Sequence, residues 1–264
     1  VQPHSGTSAN LAVYFGLLEV GDRVLAMGLP FGGHLSHGHS ASITSRCFAF
    51  RHYGLDPRTE TIDYEGVRAL AREFRPRLIV AGASSYPRLI DYAVMAAIAA
   101  EVSALLMVDM AHIAGLVAAG VIPSPVPHSD VVTFTAYKTL MGGRGGVILC
   151  REAHARRIDR AVFPGSQGTS AVNVIAAKAL CFHLAAQPAF QAAQARTLAD
   201  AAALAEALAR RGWRIVTGGT DTHQVLMDLT GRDLSGDAAE KALEAAGIVA
   251  NRNAVPRDAG HPGQ

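Results

Sequence analysis

The sequence predicts an α/β fold: a mainly parallel sheet covered by helices, followed by the start of a smaller α+β domain. Two observations lead there. Over the first two-thirds of the chain, short apolar runs alternate with helical periodicity, as in a parallel sheet with helices on both faces. From about residue 171 the alternation gives way to alanine-rich helical stretches with few breakers. The expected domains are residues 1–190 and residues 191–264, the second holding a linking helix and an incomplete α+β unit. At 264 residues, half of them hydrophobic, the chain is long enough to bury a large core without staples.

The elements follow in order. Leu11, Tyr14, Phe15 and Leu18 repeat with helical spacing, so residues 8–18 read as a helix that stops at Gly21 and Asp22. Residues 23–27 then form a strand. Residues 64–74 are an amphipathic helix, 77–81 a strand, 90–102 a helix and 104–109 a buried strand. Residues 131–135 and 146–150 are two more strands, joined by a lysine and a glycine-rich turn. Residues 171–211 make two long helices interrupted near Pro188. Residues 213–217 and 223–229 read as strands, and 236–246 as a helix. The tail from Gly260 to Gln264 is loop-like with no closing element, so the second domain looks unfinished. Val1 is not an initiator methionine, and the N-terminus reads as a cut.

Composition excludes several classes. Twenty-four basic residues against 22 acidic ones leave a net charge of +2, too little to imply a nucleic-acid or acidic-membrane partner. A long stretch without formal charge, residues 110–129, contains His112, His128 and three prolines and cannot span a bilayer. Cys47, Cys150 and Cys181 are odd in number and lack metal-ligand spacing, which points to a reducing, cytoplasmic compartment.

The chemistry gathers at strand ends. Only three basic residues are lysines, and Lys178 and Lys241 lie in alanine-rich helical stretches, where a lysine is normally on a solvated face. Lys138 instead follows a strand and precedes Gly142, Gly143, Arg144, Gly145 and Gly146. That setting suits a Schiff base or an anion contact, with a solvent-exposed loop lysine as the alternative. Asp109 closes an apolar strand, so its carboxylate needs a partner. A protonated ring nitrogen is one candidate; a helix cap is the other. Ser5, Gly6, Thr7 and Ser8 open the first helix and offer free N–H groups to a phosphate, although such residues are also ordinary caps. A second small-residue loop, from Gly165 to Ser170, suits an anion equally. Gly32, Gly33, His34, Leu35, Ser36, His37, Gly38 and His39 could suggest a metal, but no acidic or cysteine partner lies within that run. We favour a glycine loop that lays one imidazole against a flat ligand, and expect no metal site.

Taken in this order, the segments resemble the serine hydroxymethyltransferase family, pyridoxal-phosphate enzymes of fold type I, the aspartate-aminotransferase fold. The most specific match is residues 108–120, VDMAHIAGLVAAG. The resemblance implies that Ser5, Gly6 and Thr7 hold the cofactor phosphate and His34 stacks on the pyridine ring. Asp109 would pair the ring nitrogen, and His112 and Ser84 would flank the phenolic oxygen. Tyr137 and Lys138 match the Schiff-base segment, with Lys138 as the imine lysine and Tyr137 beside the cofactor. Gly168 and Thr169 resemble the loop that a neighbouring subunit lends to the phosphate, implying a homodimer or homotetramer. Leu35, Arg144 and Asn253 fall at substrate- or folate-binding positions. The implied reaction interconverts serine and glycine with tetrahydrofolate as one-carbon acceptor. Alternatives on the same scaffold are a folate-independent β-hydroxy amino acid aldolase or transaldolase and an α-methylserine hydroxymethyltransferase. A catalytically inactive association module is the alternative of another class.

The sequence departs from the family pattern at four places. Tyr137 stands for a histidine, Ala136 for a threonine, Gly143 for a proline and Thr169 for a glycine. The last is expected to strain the phosphate loop, because a β-branched residue disfavours positive φ. Relatives also supply a tyrosine and a glutamate from before the phosphate loop, and a carboxylate-gripping arginine from beyond the equivalent of Gln264. Were these 264 residues the whole polypeptide, weak cofactor binding and little turnover would be expected.

Overall fold

The computed structural model describes residues 1–256. The chain runs α1 (Gly6–Leu17), β1 (Arg23–Met27), α2 (Thr44–Cys47), β2 (Ala49–Tyr53), α3 (Tyr64–Phe74), β3 (Leu78–Ala81), α4 (Tyr92–Glu101) and β4 (Leu105–Asp109). It continues through α5 (Ala114–Ala118), β5 (Val131–Thr135), β6 (Gly146–Cys150), α6 (Glu152–Arg160), α7 (Val172–Ala185) and α8 (Pro188–Arg210). A short pair of strands, β7 (Arg214–Ile215) and β8 (Met227–Asp228), and α9 (Gly236–Ala245) follow. The tail from Gly260 lies outside the described residues. Among the described residues no helix is long and apolar enough to cross a membrane.

Six strands form one sheet in the order β2-β1-β3-β4-β5-β6, parallel except for β6, which runs antiparallel to β5. The α/β expectation therefore holds, with β2 added. The interior strands are buried and largely apolar because helices cover both faces. Period-two alternation divides β1 between two cores: Leu25 and Met27 pack with Ile79, Met95, Ile98 and Leu106, while Val24 and Ala26 pack with Val13, Tyr14, Leu78, Val80 and Met107. Each fully buried aliphatic side chain stabilises the fold by about 1.5–3 kcal/mol.

Helix starts follow their caps. Asp63 and Asp91 accept from the backbone N–H of Gly66 and Val94, each at 2.9 Å, and so begin α3 and α4. Beyond α8 the expected strands at 213–217 and 223–229 shrink to two residues each. Thr217 (φ 63°) and Gly218 (φ 71°) turn the chain out of the ladder there.

Gly82 follows β3 with φ 133°, and a Cβ there would lie 2.1 Å from the carbonyl oxygen of Asp109. Glycine lets the ends of β3 and β4 touch, and the position of Asp109 depends on that contact. Gly82→Ala is expected to cost about 3 kcal/mol, read as a lowered urea midpoint at unchanged slope.

Candidate active site

The carboxyl ends of β3, β4 and β5 meet the N-terminus of α1 around one cleft, the usual ligand position in an open parallel sheet. Gly6 and Thr7 line it from α1, His34 from the glycine loop and Ser84 from beyond β3. Asp109 and His112 enter from the end of β4, and Tyr137 and Lys138 from the end of β5.

Ser5 caps α1 rather than lining this cleft. Its hydroxyl accepts from Ser8 N–H at 3.1 Å, while Ser8 Oγ accepts from Ser5 N–H at 3.0 Å, a reciprocal capping box. The amides of Gly6 and Thr7, ahead of the first intrahelical bond, stay at the cleft wall with the positive end of the helix dipole.

Asp109 is the buried anion of the site. Its Oδ2 accepts from Asn10 Nδ2 at 2.8 Å and from His37 Nε2 at 3.2 Å, and its Oδ1 accepts from Ala111 N–H at 3.0 Å. Thr133 Oγ1 donates to Asn10 Oδ1 at 2.7 Å, which turns the Asn10 amide donor toward the carboxylate. His37 Nδ1 lies 2.7 Å from the hydroxyl of buried Tyr14. Burial, with the charge of Asp109, holds the Tyr14 phenol well above its ordinary range, so it stays protonated, and His37 Nε2–H donates to Asp109. Burial alone would push the Asp109 carboxyl up. The hydrogen bond and charge of His37, then Asn10 and His34, outweigh it and hold the group well below the usual carboxylate range.

His34 receives the backbone N–H of Ser36 on Nδ1 at 3.1 Å, with the Ser36 hydroxyl 2.7 Å from the same nitrogen. His34, His37 and Asp109 bring three potential ligand atoms within 4.8 Å of one another, and hydrogen bonds already engage these groups. Lys138 Nζ lies 3.1 Å from His112 Nε2. Burial lowers the Lys138 pKa, partly offset by Asp109, which raises the share of neutral, nucleophilic amine.

His112 is pushed down to about 3, first by burial and then by the charges of Lys138 and His223. The unfolded chain therefore binds more protons than the folded one below the ordinary imidazole value of about 6.5. This contribution to stability is complete above about pH 6.5 and is lost as pH falls toward 3; Asp109 adds loss in the same direction below about pH 4. Thermal midpoints are expected to fall steadily from pH 7 to pH 4, and His112→Gln should flatten that slope.

Lys178 corrects the sequence reading. It is 1% exposed, not solvated, and its ammonium donates to the carbonyls of Pro3 at 2.8 Å, Gly146 at 2.9 Å and Val1. Three backbone acceptors satisfy the charge, and the missing side chain of Gly145 leaves it room: a Cβ there would lie 1.9 Å from Lys178 Cε. Lys178 thus pins the loop leading into α1 against β6. Lys241 is exposed as expected and pairs with Asp237.

Other expected site residues lie outside this cleft. Leu35 is 51% exposed, Asn253 is exposed, and exposed Arg144 sets its guanidinium over the Tyr137 ring at 5.2 Å. Gly168 accepts from Gln2 Nε2 at 2.7 Å and, with Thr169, lies at the surface. Thr169 is not among the positive-φ residues, so the expected backbone strain is absent.

The family model described as serine hydroxymethyltransferase matches residues 1–262. The chain belongs to the serine hydroxymethyltransferase family. A curated serine hydroxymethyltransferase from Coprothermobacter proteolyticus is 55% identical over 258 residues, 98% of this chain and 62% of that protein's length. The chain thus spans less than two-thirds of this relative. Membership in the serine hydroxymethyltransferase family makes the sheet and its covering helices those of fold type I.

Sequence reasoning missed Asn10, Tyr14, His37 and Gln224, the residues that orient Asp109 and His112. One signal was available for Asn10: a polar side chain on the apolar face of a helix, between Ala9 and Ala12, must have a buried partner.

Proposed function

We propose that the protein is a pyridoxal-phosphate-dependent hydroxymethyltransferase that interconverts serine and glycine with tetrahydrofolate as one-carbon acceptor. One observation supports this most: a neutralisable lysine, a buried carboxylate and a helix N-terminus converge on a single cleft. That donor set fits pyridoxal phosphate, which needs an amine for its aldehyde, an anion for its ring nitrogen and N–H groups for its phosphate. When bound, the cofactor supplies the electron sink for bond cleavage at the amino-acid α-carbon.

The chain's own residues do the rest. Lys138 would hold the aldehyde carbon, and the ionised Asp109 carboxylate would favour a proton on the ring nitrogen. Gly6 and Thr7 would bind the phosphate, His34 would cover the ring, and Ser84 and His112 would serve the phenolic oxygen. Tyr137 closes the cleft beside Lys138. Gly168 and Thr169, at the surface of their own chain, serve a neighbouring subunit of a homodimer or homotetramer. Leu35, Arg144 and Asn253 serve amino-acid or folate binding. Residues 1–190 form the cofactor domain, and residues 191–264 a linking helix with elements of a second domain. We place the enzyme in the cytoplasm.

The test is serine cleavage by the cofactor-loaded protein with and without tetrahydrofolate. Glycine formation should require the folate; equal turnover without it would overturn this reading in favour of a folate-independent aldolase.

A further inference from the structure

Gln224 lies beyond the short turn that follows Gly218 and lines a cavity adjoining the cleft, sharing Asp109 and His112 with it, and its side-chain nitrogen has two neighbours. One is the carbonyl oxygen of Ser84 at 2.6 Å, the other His112 Nδ1 at 3.3 Å. A carbonyl can only accept, so the amide must present its NH2 group there; the reverse orientation would set two acceptor oxygens against each other. The second N–H of that group then points at His112 Nδ1, which must accept. A neutral imidazole that accepts on Nδ1 carries its proton on Nε2. His112 Nε2 is the atom 3.1 Å from Lys138 Nζ. The ring plane is set separately: His223 lies nearly parallel to His112, at 17° with centroids 6.3 Å apart.

We propose that Gln224 is a positioning residue that locks His112 in the Nε2–H tautomer, so that His112 offers a donor, and never an acceptor, to the Lys138 amine and to the cofactor oxygen beside it. The tautomer follows from the hydrogen bonds alone; only the identity of that oxygen rests on the function proposed above. With Nε2–H donating, the Lys138 nitrogen must accept, so this pairing favours the neutral amine that attacks an aldehyde. No proton has to leave the site before the carbon–nitrogen bond forms.

Long-range proton–nitrogen correlation spectra of ring-labelled protein, recorded without cofactor, read the tautomer directly, with His112→Gln identifying the resonance. The wild type should show Nε2–H. Gln224→Glu, which keeps the shape but can only accept, should invert His112 to Nδ1–H, and Gln224→Met should leave both tautomers populated. An Nδ1–H signal in the wild type, or an unchanged tautomer in a folded Gln224→Glu, would overturn the proposal. The wild-type spectrum decides even if both variants misfold. In the loaded protein, Gln224→Glu should lower kcat about tenfold while KM for serine stays within about twofold, a split that general loosening of the fold would not produce. Failure of wild-type protein to take up pyridoxal phosphate would overturn the functional reading and leave the tautomer result standing.

Discussion

Lys138→Ala is expected to lose cofactor on desalting and to lose turnover by at least about 10³-fold, while keeping the wild-type melting temperature within about 2 °C. The first two effects follow from removing the only amine among the described residues that line the cleft. Lys178 and Lys241 cannot substitute, one being committed to three carbonyls and the other to Asp237 on an exposed helix. The third follows from how little Lys138 holds together. Its side chain is half-buried and contacts His112 through one hydrogen bond. Absorbance after gel filtration, steady-state kinetics and a thermal melt check the three parts separately.

Asp109→Asn is expected to lower kcat by about 10²–10³-fold, because a neutral amide no longer favours a proton on the ring nitrogen. Here stability should fall as well. Asn10 Nδ2, His37 Nε2 and Ala111 N–H all donate to the carboxylate, and an amide offers only one acceptor oxygen to the three. Its NH2 group would face another donor, at a cost of about 1–3 kcal/mol. Kinetics and denaturant unfolding on the same sample measure both. Unlike Lys138→Ala, this variant should still retain cofactor covalently, so the two substitutions separate attachment from activation.

The sheet was legible where burial writes a pattern. The strands at 23–27, 131–135 and 146–150 and the helix at 64–74 fall at their expected bounds. β2 was missed because Arg51 and His52 interrupt any apolar run; the segment is an edge strand whose existence depends on pairing with β1. α6 was missed because a single buried side chain, Ile158, anchors a helix that is otherwise charged. The antiparallel entry of β6 follows from a short glycine turn that leaves no room for a crossover helix.

The site divides in the same way. Lys138, Asp109, His34 and His112 stand at strand ends or in glycine loops, where local sequence carries the signal. Asn10, Tyr14, His37 and Gln224 act through partners 23 to 140 positions away, and only the fold creates those contacts. Lys178 shows the limit most clearly. Its alanine-rich surroundings are those of a solvated face, and two of the three carbonyls that capture it, those of Val1 and Pro3, belong to the other end of the chain.

The most direct test is chemical trapping. Protein incubated with pyridoxal phosphate, reduced with borohydride and digested should carry the reduced cofactor on the peptide that contains Lys138, with none on the peptides of Lys178 or Lys241. A label confined to either of those lysines, or no label at all, would contradict the account.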